Sequence, residues 1–366
     1  VHSLAKQIVE RVVAGGRSPQ DELLQRLLAA TVAGEGELQR LSARRLVMKV
    51  DLAGHTWLFK IDSPQRSFER LRGRLRQPSL LREAEHLRQL GLKYPAMPVE
   101  VHAEQLDAAN GLLARPWLEG RRGDCWSAAD AQAVGQGLAQ LHELGWSDPD
   151  LCPADLLLDA SGNLLPLDLG HAHLHEGRPS PEKVRIRDLV RLLGGWNESQ
   201  RAECGAAIME VYGKLLTCPA TADILQQAKV WRLEILRRQS RRCLRRTRDF
   251  APTDDGCARV EGLPPGAALR FSVRDARSAK QIFRLLYELE LLELPAARVL
   301  RFGADDHGAF IEVAGLDSTP SATAIAHCLS LLHDAGFEVA AHTSAMFQAN
   351  EKGAAVLADA SNLQRL

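Results

Sequence analysis

The sequence predicts an α+β protein in which a strand-rich stretch precedes a helix-rich one and a partial second copy of the pattern closes the chain. Three observations lead there. Two β-rich runs flank Ala53-Gly54 within residues 44–62, as in a hairpin. Helical periodicity dominates 127–145 and 182–249. LAQLHELGW (138–146) recurs as LSLLHDAGF (329–337), which predicts an internal repeat over 270–366 of the pattern in 80–170. At 366 residues and 45% apolar composition, the chain is long enough for two or three units with sizeable cores.

Taken in order, residues 1–30 space their apolar residues as amphipathic helix, with charges that disfavour a secretory signal, and AGEGE (33–37) interrupts the pattern. The hairpin follows, then a basic stretch at 66–78 and a helix in LLREAEHLRQLGL (80–92). GLLARPWLEG (111–120) reads as a short strand running into a turn. The helix at 127–145 has a Ser start signal at Ser127 and a stop at Gly145. SDPDLCPADLLLD (147–159), a Ser-Gly-Asn turn and the strand NLLPLDLG (163–170) come next. APTDDG (251–256) and GLPPG (262–266) read as linkers.

Lys plus Arg equals Asp plus Glu at 46 each, so no general electrostatic affinity for nucleic acid is indicated. Seven scattered Cys without a CxxC pair argue for reduced thiols, a cytoplasmic setting and no disulfide framework or zinc ribbon. The sequence has no run of about 18 apolar residues that would read as a membrane span.

The chemistry concentrates in three carboxylates at fixed offsets. Asp150 sits in a Pro-bounded loop after a helix, Asp155 precedes an apolar strand, and Asp168 lies between an apolar strand and Gly170. Phosphoryl transfer requires one carboxylate near the attacking hydroxyl and one or two oxygen ligands that hold Mg²⁺ against nucleotide phosphates. The strings Asp150-Leu151…Asp155 and Asp168-Leu169-Gly170 match the spacing D-L-x-x-x-N and D-F-G. Over roughly 33–250 the chain therefore resembles the protein-kinase-like superfamily, and within it the lipopolysaccharide core kinases that phosphorylate heptose or Kdo sugars.

That resemblance implies a bilobal fold using ATP and Mg²⁺, with Asp150 as catalytic carboxylate and Asp155 and Asp168 as metal ligands. Lys60 would neutralise nucleotide phosphates, paired with Glu83 (Glu85 being the alternative). Gly34 and Gly36 would cover the phosphates, and Arg115 and Trp117 would lie in the base-binding hinge. Asp148 stands where the superfamily usually has His. The implied boundaries are an N-terminal helical segment at 1–32, an N-lobe at 33–118, a C-lobe at 119–250, a linker at 251–268 and a degenerate second copy at 269–366.

In that copy Ala341 falls at the place of Asp150, Ile282 or Phe283 near Glu83, and Asp359 at Asp168, so it is expected to be inactive. The acceptor would be a lipopolysaccharide core glycolipid. The eight Arg of 232–248 would attract an anionic membrane surface at the cytoplasmic face of the inner membrane, helped by the Arg-rich 66–76. Two alternatives stay open: a pseudokinase scaffold, and a small-molecule kinase of the aminoglycoside or choline type. His171, His173 and His175 would share one face of an extended segment, either towards solvent or on a metal. Cys152 reads as a small buried side chain, and the oligomeric state is not encoded in any pattern found.

Overall fold

The computed structural model describes residues 2–14, 18–42, 45–63, 79–107, 110–175, 177–244, 250–260, 268–314, 320–335, 337–340, 346–349, 354–358, 360 and 363–365. The Arg-rich stretch 66–76, Arg245, Arg246 and Arg248 of the second cluster, and Ala341 and Asp359 of the expected copy lie outside these residues. The chain divides into two compact units, Val1–Trp231 and Arg232–Leu366.

The first unit opens with helices α1 (His2–Ala14) and α2 (Glu22–Val32). Asp21 caps α2 by accepting from the Leu24 N–H at 3.1 Å. Strands β1 (Glu37–Leu41), β2 (Arg45–Leu52), β3 (His55–Asp62), β4 (His102–Gln105) and β5 (Gly111–Pro116) form one antiparallel sheet in the order β1-β2-β3-β5-β4. The β2–β3 hairpin turns through Ala53 and Gly54, both at positive φ (53° and 81°), as the right-handed twist of paired strands demands. Alternation along β2 and β3 sends Leu46, Met48, Val50, Trp57, Phe59 and Ile61 into a core with Ile8, Leu24 and Leu27 of the two helices. The helices expected to form a separate segment are thus built into the strand-rich lobe.

Helix α3 (Ser79–Lys93) buries Leu80, Ala84, Leu87 and Leu90 at helical spacing, in the core of the helix-rich lobe. That lobe contains α4 (Ala131–Glu143), α5 (Glu182–Gly195), α6 (Glu198–Leu215) and α7 (Thr221–Arg242), whose last turns pass into the second unit. The short strand β6 (Arg121–Arg122) precedes α4, and between α4 and α5 run β7 (Trp146–Ser147), β8 (Leu156–Leu158), β9 (Leu164–Pro166) and β10 (His173–Leu174). They pair as β6-β8-β9 and β7-β10. Gly145 ends α4 at φ 83°, and a Cβ there would stand 2.3 Å from the His175 carbonyl oxygen. Only glycine lets the chain turn this tightly into the loop that carries Asp150.

In the second unit, the stretch expected to be a linker instead forms a hairpin, β11 (Phe250–Pro252) and β12 (Gly256–Arg259). It joins β13 (Ala268–Val273), β14 (Val299–Asp305) and β15 (Gly308–Ala314) in the order β11-β12-β14-β15-β13. Helix α8 (Ala276–Leu291) connects β13 to β14, as α3 connects β3 to β4. The pairing β13-β15-β14 parallels β3-β5-β4, but the remaining hairpin attaches to the opposite edge. Helix α9 (Ala322–Asp334) and strands β16 (Phe337–Val339), β17 (Phe347–Ala349) and β18 (Ala355–Leu357) follow. Ile282 and Phe283, the two residues expected near the place of Glu83, are both buried, Phe283 against Phe250 and Phe302 at ring separations of 5.0 and 4.9 Å.

Candidate active site

Strand β3 carries Lys60 on the sheet face opposite α1 and α2, in register with Val47 of β2 and Leu113 of β5. The side chain is almost wholly buried, and its Nζ lies 2.5 Å from Glu83 Oε1 on α3. Burial pushes the Glu83 carboxyl up, and the nearby Lys60 ammonium opposes that rise. A lysine so placed needs an anion, and the helix supplies one from inside the fold.

A cleft opens beside this pair. Its apolar lining includes Val47, Leu58, Leu118, Leu157 and Leu167, with Arg115 and Trp117 at the exit of β5. Its charged lining includes Arg40, Arg45, Lys60, Arg122, Asp155 and Asp168. Register fixes their sequence along the sheet: Arg115 stands level with Leu58, Lys60 with Val47, and Arg45 with Asp62.

Burial works to raise the Asp168 carboxyl, but Lys60 and Arg45 hold it below the ordinary carboxylate range, helped by the Gly170 N–H. Arg45 Nη1 lies 3.9 Å from Asp168 Oδ2, and Nη2 lies 3.3 Å from Asp62 Oδ2 and donates to Ser79 Oγ at 3.0 Å. Asp155 behaves oppositely: burial raises it, the Cys152 thiol donating at 2.9 Å opposes the rise, and the Asp168 charge adds to it. Cys152 is thus tied to Asp155, and burial pushes its thiol up to about 12, which leaves no thiolate for nucleophilic chemistry.

Two carboxylates facing one space, with the Asp168 charge adding to the rise of Asp155, form a donor set that suits Mg²⁺. That ion takes one or two protein carboxylates and completes its shell with water and phosphate oxygens. Among the described residues no group of three or more His, Cys, Asp or Glu could hold a metal by itself. His171, His173 and His175 line one small cavity with Arg82, His86 and Pro149.

Asp150 is placed differently from the other two acids. Its side chain is 71% exposed, lies 3.6 Å from Arg191 Nη1 and is not among the groups lining the cleft. Its loop is nonetheless firmly held. Asp148, at the usual His position, accepts from the Asp150 N–H at 2.7 Å, and the Asp148 N–H donates to the fully buried Asp188 at 3.0 Å. Burial pushes the Asp148 carboxyl up to about 7. Asp148 and Asp188 therefore order the loop through backbone hydrogen bonds.

The structure brings Lys60, Glu83, Asp155, Asp168, Arg115 and Trp117 to one cleft or its wall. Gly34 and Gly36 do not join them. Gly34, at φ 82°, ends α2, where its N–H donates to Thr31 O and the Glu35 N–H donates to Ala30 O. Gly36 lies against β2, where a Cβ would meet the Lys49 carbonyl at 2.8 Å. Both precede β1 and neither lines the cleft. Sequence reading missed Arg45, whose role arises from register with Asp62, and Asp188, which lies 40 positions from its partner loop.

The first unit is an α+β fold in which a five-stranded antiparallel sheet precedes a helix-rich lobe. No family model and no curated protein matches the chain. Among solved structures it is similar to WaaP in complex with acyl carrier protein, at 17% identity over 60% of this chain and 95% of that one, TM-score 0.38. It is also similar to the aminoglycoside-3′-phosphotransferase of type VIII, at 16% identity over 57% and 98%, TM-score 0.40. A spectinomycin phosphotransferase in complex with ADP and spectinomycin is similar at 12% identity over 59% and 87%, TM-score 0.37. No helix among the described residues is long and apolar enough to cross a membrane.

Proposed function

We propose that the first unit transfers a phosphoryl group from a nucleoside triphosphate to an alcohol. The observation that carries this reading is the buried Lys60–Glu83 pair on the wall of a cleft that Asp155 and Asp168 also line. Lys60, fixed by Glu83, binds the nucleotide phosphates. Asp155 and Asp168 hold Mg²⁺, which when bound neutralises phosphate charge. Arg45 and Arg40 add positive charge at the phosphates. Asp150 takes the proton of the acceptor hydroxyl as its oxygen bonds to the γ-phosphorus and the diphosphate leaves. ATP is the donor the family resemblance implies.

For the acceptor, the resemblance to core heptose and Kdo kinases favours a sugar hydroxyl of the lipopolysaccharide inner core. The Arg-bearing end of α7 would then meet the anionic membrane on which that glycolipid is carried. Arg232, Arg237 and Arg238 there already have Glu293, Glu288 and Glu234 within 3.9 Å, which reduces the net charge they offer. The test is phosphate transfer from labelled nucleotide to core oligosaccharide, beside an aminoglycoside and choline panel. Transfer that Asp168→Ala abolishes supports the reading.

A second reading, nucleotide binding without transfer, is favoured by one observation: Asp150 points to solvent beside Arg191. Metal-dependent nucleotide binding with no product on any acceptor would establish it.

A further inference from the structure

A second cavity, of about 410 Å³, shares no lining residue with the cleft of Lys60 and Asp168. Its walls are Arg82 and His86 of α3, Pro149, and the segment that carries His171, His173 and His175. One guanidinium and four imidazoles thus meet around one space, and among the described residues no carboxylate lines it. In a chain with equal numbers of acidic and basic residues, so one-sided a lining departs from the average surface.

These groups are held in place without being neutralised. Arg82 Nε donates to the Gly170 carbonyl at 2.8 Å, and among the described residues no acid pairs with its guanidinium. His86 Nδ1 lies 2.9 Å from the Leu169 carbonyl, which can only accept, so Nδ1 carries the proton and Nε2 is left for another partner. His175 Nε2 is buried with no hydrogen-bond partner. Burial pushes the His86 imidazole down, the Leu169 carbonyl opposes that fall, and Arg82 and His173 add to it. Glu85 also opposes the fall, but it is exposed and accepts from Gln89 at 2.6 Å. Burial lowers His175 as well, with Arg178, His173 and Arg187 adding to the fall and Asp188 opposing it.

Like charges crowded on one cavity favour an anion inside it. A phosphate group suits the lining best, because it brings about two negative charges and three acceptor oxygens, against one charge and two oxygens for a carboxylate. We propose that this cavity is a phosphate site, separate from the nucleotide cleft, that takes the phosphate monoester of a sugar or free inorganic phosphate. Its walls come from three segments that hold the groups assigned to transfer: Arg82 precedes Glu83, Pro149 precedes Asp150, and His171 follows Gly170. A phosphate bound there bridges α3 and the histidine segment. The site goes beyond the transfer reading and does not depend on it.

The test is a titration of the full chain, labelled at the histidine Cε1 carbon, with inorganic phosphate and with glucose 6-phosphate at pH 7, followed by NMR. Single histidine substitutions assign the resonances. A bound phosphate favours the imidazolium, so the signals of His86, His171, His173 and His175 should move saturably towards their protonated positions. Phosphate held in the nucleotide cleft should leave them in place, since none of them lines it. Arg82→Met should weaken binding about tenfold or more. If Arg82→Met does not fold, the pair His171→Asn and His173→Gln, both at exposed side chains, should weaken it severalfold. Tighter binding of glucose 6-phosphate assigns the site to an esterified phosphate, and binding of inorganic phosphate at least as tight assigns it to the free ion. No saturable movement with either probe, or an affinity unchanged in the folded variants, overturns the proposal and leaves the nucleotide cleft standing. Failure of nucleotide to bind overturns the transfer reading alone.

Discussion

Replacing Lys60 by Met should be among the most destabilising single changes in the first unit. The change leaves Glu83, fully buried, without the ammonium 2.5 Å away. Breaking a buried pair by removing one partner costs about 3–5 kcal/mol. In a unit of 231 residues, each kcal/mol lowers the melting temperature by about 2–4 °C, so a fall of roughly 6–20 °C is expected. Removing both charges should behave otherwise. Lys60→Met with Glu83→Leu replaces the pair by apolar groups of similar size beside Leu80 and Leu87, and such swaps are neutral or stabilising. The double variant should therefore recover to within about 1 kcal/mol of the wild type while losing nucleotide binding. Urea denaturation of the four proteins closes the cycle. A double variant as unstable as the sum of the singles, or a Lys60→Met cost under about 1 kcal/mol, would refute the claim that this pair is buried and coupled.

Other expectations follow from the loop and its turns. Asp148 is raised from 3.8 to about 7, so between those values the folded state holds a proton that the unfolded state has released. Stability should fall as pH rises through that window and level off above it, and Asp148→Asn should remove up to about 4 kcal/mol of that slope, read from denaturation at pH 4 and pH 8. Gly145→Ala meets two backbone carbonyls at 2.3 and 2.7 Å as well as positive φ, whereas Gly34→Ala meets nothing within 4 Å. The first should cost well over 2 kcal/mol and the second about 1, with nucleotide affinity unchanged in the second because Gly34 only ends α2. Asp150→Asn, at an exposed side chain with one ion pair at 3.6 Å, should change stability by less than about 1 kcal/mol. It should lower phosphate transfer by about 10²–10⁴-fold, and equal loss of both would point to a structural role only.

Much of the site was legible because it follows local periodicity. Lys60 ends an alternating strand, and Glu83 sits on the apolar stripe of a helix, so each was identifiable within its own element. Asp155 and Asp168 flank short apolar strands in a fixed spacing. The rest depended on contacts between distant segments. Gly34 and Gly36 resemble a phosphate turn in composition, but glycine at positive φ serves equally to end a helix, and the backbone around α2 uses Gly34 in that way. Arg45 gains its role only when β2 registers with Asp62 and the start of α3 approaches. Asp188 is an ordinary helical acid in the sequence, and its burial beneath the Asp148 backbone is a tertiary fact. The hairpin at 250–259 was hidden by Pro252 and Gly256, which mark a turn whether or not paired strands flank it. The pattern shared by 80–170 and 270–366 omits β3 (His55–Asp62) and carries no sign of which sheet edge takes the added hairpin.

The most direct measurement is the melting temperature of the first unit within the intact chain, titrated with purine nucleoside triphosphate in the presence and absence of Mg²⁺. At a hundredfold excess over the dissociation constant, binding adds about 2.7 kcal/mol, a rise of roughly 5–10 °C. The rise should require nucleotide and metal together and vanish in Asp168→Ala. No rise at saturating nucleotide, or one that persists unchanged in Asp168→Ala, would contradict a nucleotide site built on Lys60, Asp155 and Asp168.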